Sequence, residues 1–135
     1  MSDPKLETKI FERGNNLFKE GEPATEAYII KSGYVTVWHE DSDGTKTALG
    51  TRAEGEIVGE MGLIDDVPRS ATVTAQDRVL VEVITRAQLE TMLKDVPDAL
   101  STILHQLIES LRCCNDMLAM YVSQASTRLE LNDLQ

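Results

Sequence analysis

The hydrophobic period of this chain changes once, at Thr85, and that switch restricts the folds open to it. Before Thr85, short runs of β-branched and aromatic residues alternate with turn signals; after it, apolar residues recur at threes and fours. "AYIIKSGYVTVWHE" reads as two consecutive strands broken at Gly33. Asp43-Gly44 supplies hairpin chemistry ahead of a returning strand near Lys46 to Gly50. "ATVTA" and "VLVEVI" add strands either side of Gln76-Asp77-Arg78, whereas "TKIFE" and "NLFKEG" stay ambiguous. Many short strands so spaced predict a mainly β fold, a sandwich or jelly-roll barrel.

Past the switch, Thr85 is a helix N-cap with Gln88 three places on, and Leu89, Met92 and Leu93 share one side of a short helix that Pro97 stops. A long helix is expected from about Asp98, with Leu100, Ile103, Leu104, Leu107, Ile108, Leu111, Leu118, Tyr121 and Val122 on a wide stripe. From about residue 124 the polar tail "STRLELNDLQ" is expected to fray, although Leu129, Leu131 and Leu134 extend the helix where a partner covers them. The expectation is one domain over 1–135: jelly roll about 8–85, helices about 86–123, tail 124–135.

Composition removes whole classes of function. A net charge of −10 over 135 residues repels nucleic acid. No apolar run reaches the about 18 residues of a membrane span, and "MSDPKLETK" lacks the apolar region of a signal peptide, so the expected location is cytoplasmic. Cys113 and Cys114 are adjacent, poorly spaced for a disulfide or zinc site, and read as reduced thiols on a helix. His39 and His105 lack ligand-like companions, so no metal is expected, and "EDSDG" reads as a solvated hairpin tip. No nucleophile, base and orienter set is visible, and no enzyme is expected.

One stretch asks for chemistry: "VGEMGLIDDVPRSATV", Val58 to Val73. Gly59 and Gly62 remove side chains where something must approach the backbone, and "EMGLI" suffices for one or two helical turns. Free amides at the start of such a turn favour an anion, and Arg69, delivered by Val67-Pro68, offers paired donors for two phosphate oxygens. Glu60 beside a phosphate needs a donor of its own, such as a ribose hydroxyl. The alternative, a Glu60–Arg69 pair that only stabilises a turn, stays open on spacing alone.

The same stretch resembles the phosphate-binding cassette of the cyclic nucleotide-binding domain family. The resemblance extends through "GNNLFKEGEPATEAYIIKSGYVTVW", with its G-x-x-L-x-x-x-G-E beginning and Y-I-I-x-x-G strand pair, and covers roughly Thr8 to Val122. It implies an eight-stranded β jelly-roll barrel with the cassette helix inserted and a long C-terminal helix following. By position it implies phosphate contacts from Gly59, Glu60, Met61 and Gly62, a ribose acceptor at Glu60, a phosphate-binding Arg69 and an adjacent Ser70. Val58 replaces the usual phenylalanine. Val37, Leu49 and Arg52 fall near the walls of the base pocket, Arg52 where an apolar residue is common. Cys114 and Asn115 align with polar residues that touch adenine in one bacterial member.

The resemblance therefore implies a non-catalytic signalling module whose ligand is cyclic AMP, with cyclic GMP the alternative, and whose long helix is repositioned on binding. A constitutive dimerisation or scaffold domain is the competing reading. A seam through Leu104, Ile108, Leu111, Asn115, Leu118 and Val122 suits a homodimer, and a further protein partner is compatible with it. Only about a dozen residues follow that helix, so the expectation is a stand-alone domain without a helix-turn-helix.

Overall fold

The structure, a computed structural model, describes residues 5–133; of residues 115, 116 and 118–133 it describes the backbone alone. The chain divides into two compact units, one ending at Asp95 and the other beginning at Val96.

The first unit contains eight strands: β1 (Glu7–Phe11), β2 (Asn16–Phe18), β3 (Glu26–Ser32), β4 (Tyr34–Glu40), β5 (Lys46–Ala53), β6 (Ile57–Val58), β7 (Thr72–Ala75) and β8 (Val79–Thr85). A one-turn helix α1 (Met61–Ile64) lies between β6 and β7, and α2 (Arg86–Lys94) follows β8. The strands form two antiparallel four-stranded sheets, in the orders β1-β8-β3-β6 and β2-β7-β4-β5, a jelly-roll arrangement. The two segments that are ambiguous in sequence are settled by pairing, β1 along β8 and β2 along β7.

Alternation places the core between the sheets. Val79, Val81 and Val83 of β8 are buried, as are Tyr28 and Ile30 of β3, Val35 of β4 and Val73 of β7. Each valine buried this way stabilises the fold by about 1.5–3 kcal/mol. A one-residue slip of β8 would turn all three outward, a cost comparable to a domain's whole stability, so register is firmly specified.

Turn chemistry follows the residues expected of it. Asp41 Oδ1 accepts the amides of Asp43 and Thr45, and Gly44, at φ +82°, donates to the Asp41 carbonyl. Gly33, at φ +83°, joins β3 to β4 against the β7–β8 turn, where the Tyr34 amide donates to Asp77 Oδ1. A Cβ at Gly33 would stand 2.5 Å from the Arg78 carbonyl oxygen. Thr85 and Gln88 form a reciprocal capping box at the start of α2, which ends before Pro97.

The second unit is one helix, α3 (Asp98–Asp133). It continues through residues 124–133, where a frayed tail was expected, because that stretch holds no glycine or proline to stop it and Arg128, Leu129, Glu130 and Leu131 are good helix formers. Leu134 lies outside the described residues. Along the expected seam Leu111 is exposed and Leu104 and Ile108 are half-buried; the side chains of Asn115, Leu118 and Val122 lie outside the described residues. The exposed apolar line runs through Leu100, Ile103, Leu107 and Leu111. No helix among the described residues is long and apolar enough to cross a membrane.

Gly14 shares the positive φ of Gly33 but has open space where a Cβ would go. Chemical denaturation should show Gly14→Ala losing about 1–2 kcal/mol of stability to backbone strain and Gly33→Ala losing clearly more, through the added clash with backbone.

Candidate functional site

The site is built on the bend that leaves β6. Val58 is buried opposite Tyr28 of β3, and Gly59 then turns the chain at φ +76°. The Gly62 amide donates to the Gly59 carbonyl at 3.0 Å, Leu63 to Glu60 at 3.0 Å and Asp65 to Met61 at 2.9 Å. The amides of Glu60 and Met61 stand ahead of the first of these donors, where a helical turn leaves its N–H groups unmatched. Gly62 is buried, and a Cβ there would lie 3.2 Å from Ala24, so its lack of a side chain lets α1 sit close to the chain entering β3. The Glu60 side chain is exposed and Met61 is half-buried.

Arg69 reaches this bend from the other side. Its backbone is pinned to the β2–β3 connection: its amide donates to the Glu22 carbonyl at 2.8 Å, and its carbonyl accepts from the Gly21 amide at 2.8 Å. The side chain is only 7% exposed. Nη1 donates to the Gly59 carbonyl at 3.3 Å and Nη2 to the Glu26 carbonyl at 2.9 Å, while the guanidinium lies 3.9 Å from the centroid of Phe18. Phe18 in turn stacks on Tyr28, whose hydroxyl donates to Glu26 Oε1 at 2.5 Å. Burial lowers the Arg69 pKa from its ordinary value, against the opposing pull of Tyr28, Glu26 and Glu22. Burial, seconded by its bond to Glu26, raises that of Tyr28.

Arg69 and Arg86 each bury an Nε–H that no described residue accepts, but Arg86 is paired with Asp66, whereas Arg69 makes no ion pair with a carboxylate among the described residues. The turn-stabilising Glu60–Arg69 pair is therefore not formed. Buried charges are ordinarily paired, because desolvation is costly; here carbonyl dipoles and an aromatic face give partial compensation only. Gly59 is part of the same arrangement, since a Cβ there would lie 2.5 Å from Arg69 Nη1 and 3.1 Å from Phe18.

The other expected site residues are scattered. Ser70 is exposed beside Arg69. Val37 faces inward on β4, between Gly50 of β5 and Val73 of β7. Leu49, at the irregularity where β5 shifts register, is 60% exposed. Arg52 pairs across from Val35, but its side chain turns to Glu56, 3.8 Å away, and to the Thr51 carbonyl. Cys114 is an exposed free thiol on α3, in the second unit, and the side chain of Asn115 lies outside the described residues. Phe18, Tyr28 and the Glu26 carbonyl escape sequence reasoning. Their only signal is that Gly59 must admit something, which proves to be Arg69 over Phe18. No group of three or more His, Cys, Asp or Glu residues placed to hold a metal occurs among the described residues.

The model of the cyclic nucleotide-binding domain matches residues 8–96, more than half of the chain. The chain belongs to the cyclic nucleotide-binding domain family. It is 31% identical, over 85% of its length and 51% of the relative's, to a CRP-like cAMP-activated global transcriptional regulator of Mycobacterium tuberculosis. A cAMP-dependent protein kinase regulatory subunit of Debaryomyces hansenii is 35% identical over 72% of this chain and 21% of its own. Among solved structures, the half-site-occupied form of the EAL enzyme Bd1971 superposes with a TM-score of 0.77 at 29% identity, covering 82% of this chain and 99% of that one. The chain thus spans about half, or less, of the length of these curated relatives.

Gly55 and Gly59 share a positive φ, yet only Gly59 would place a Cβ against Arg69. Alanine at either position should cost about 1–2 kcal/mol of backbone strain. Gly59→Ala should lose more in denaturant titration, the excess reporting displacement of the guanidinium from the Gly59 carbonyl.

Proposed function

We propose that this cyclic nucleotide-binding domain binds a 3′,5′-cyclic nucleotide, cyclic AMP before cyclic GMP, as a non-catalytic regulatory module. The observation that carries the reading is Arg69: a buried guanidinium with a free N–H and no carboxylate partner, beside a bend whose leading amides are unmatched. A cyclic phosphate supplies what both lack, a single compact negative charge with several acceptor oxygens. Glu60, exposed at the head of the bend, accepts the ribose hydroxyl; the amides of Glu60 and Met61 and the neighbouring Ser70 meet the phosphate, which the side-chain-free backbone of Gly59 and Gly62 lets approach. The base lies toward Val37, Leu49 and Arg52 of the same unit.

The choice of cyclic AMP rests on the relatives. The regulator and the kinase subunit are named for cAMP. The EAL enzyme Bd1971, at 29% identity, has been solved in both cAMP-bound and cGMP-bound forms, which keeps cyclic GMP as the second ligand. Occupation of the bend moves α3 through different affinities for two conformations. The exposed line of Leu100, Ile103, Leu107 and Leu111 pairs α3 with a second copy or presents it to a protein partner. The net charge of −10 argues against nucleic acid as a partner, and the expected place of work is the cytoplasm.

Calorimetric titration with cyclic AMP and cyclic GMP tests this directly. Saturable binding is expected, and Arg69→Ala should weaken it by about ten- to a hundredfold, the loss of charge-assisted hydrogen bonds worth about 1.5–3 kcal/mol. An unchanged isotherm for a folded Arg69→Ala variant contradicts the assignment. No binding at all by the unaltered chain favours a scaffold role.

Glu60→Gln should weaken ribose recognition, narrowing the preference for cyclic AMP over 2′-deoxy cyclic AMP, while phosphate attraction is retained. Equal affinity of the unaltered chain for the two nucleotides would remove Glu60 from its role.

A further inference from the structure

Arg86 is the first residue of α2, directly after the capping Thr85. A cation there stands at the positive end of a helix dipole, where acidic residues are favoured. What it reaches is the cassette. Arg86 Nη2 donates to the carbonyls of Gly62 at 2.8 Å and Asp65 at 3.1 Å, and Nη1 donates to Asp66 Oδ1 at 2.6 Å. Those carbonyls lie at the C-terminal end of α1, where unmatched oxygens and the negative end of the turn attract a cation. The Arg86 amide donates to the Thr25 carbonyl at 3.3 Å, one residue before Glu26, whose carbonyl accepts Arg69 Nη2. Arg69 thus grips the entry of α1 and Arg86 its exit, both anchored where the chain enters β3.

We propose that Arg86 is a positioning residue for the nucleotide site: it holds the α1 turn, and through it the Gly59 carbonyl and the Arg69 guanidinium, in the arrangement that meets the phosphate. This rests on the reading of the site as a cyclic nucleotide pocket. A helix of one turn cannot hold itself, because it forms too few of its own hydrogen bonds to offset nucleation. The Asp66 carboxylate is 85% exposed, so its ion pair contributes little. The two carbonyl bonds, both from Nη2, carry the effect; a lysine ammonium ends one bond short of that nitrogen and is more strongly hydrated, so it does not replace them.

Charge bookkeeping separates this from a field effect. Arg86→Lys preserves net charge and Asp66→Asn makes the chain less negative, so a pure field effect leaves the first neutral and makes the second bind an anion more tightly. Positioning predicts the reverse order: Arg86→Lys and Arg86→Gln weaken cyclic AMP about tenfold, while Asp66→Asn changes it less than about twofold. Without nucleotide, hydrogen exchange at the Leu63 and Asp65 amides should quicken by about tenfold in Arg86→Lys, with the core amide of Val81 unchanged as a control on folding. Equal exchange at α1 in the variant, or faster exchange with unaltered affinity, overturns the proposal. Failure of the unaltered chain to bind any cyclic nucleotide is a separate result. It overturns the proposed function and takes the affinity half of this inference with it, whatever exchange shows.

Discussion

A guanidinium buried without a carboxylate is what the rest of this domain is arranged around. Arg69 could pair with Glu60, Glu22 or Glu26, all near in sequence or space, yet it donates to the backbone carbonyls of Gly59 and Glu26 and lies on Phe18. Carbonyl dipoles and an aromatic quadrupole moderate the cost of burying the charge without cancelling it. Several otherwise separate features follow. Gly59 lacks a side chain because Arg69 and Phe18 occupy that space, and Gly62 lacks one so that α1 can sit against Ala24. The backbone of Arg69 is tied to Gly21 and Glu22, which fixes where the side chain can start.

The fold was largely legible because period and turn chemistry agreed with each other. The strand pair about Gly33, the Asp43-Gly44 hairpin and the capping box of Thr85 and Gln88 each rest on local rules that tertiary contacts did not override. Strands β1 and β2 were ambiguous because their stability comes from pairing with β8 and β7, partners far along the chain. The polar stretch from about residue 124 gives no clear end to α3, which runs on to Asp133 because helix propensity there is good.

In the site, spacing alone could not choose between an anion pocket and an internal Glu60–Arg69 pair. The fold places Glu60 outside and Arg69 inside. The aromatic pair of Phe18 and Tyr28 beneath the guanidinium was invisible in the sequence because nothing local links residues so far from the cassette. The walls expected for the base are the least built part: Leu49 is open and Arg52 is engaged with Glu56. Overall charge and local charge work at different ranges. A strongly negative chain repels polyanions at a distance, while a single dehydrated cation attracts one small anion at contact.

The most direct test follows the Nε–Hε signal of Arg69 in a proton–nitrogen correlation spectrum as cyclic AMP is added. That N–H is buried with nothing to donate to. If the phosphate meets the guanidinium, the signal shifts saturably with cyclic AMP and stays in place with adenosine, which has the base and sugar but no phosphate. An Arg69 signal that does not move at saturating cyclic AMP would contradict the account.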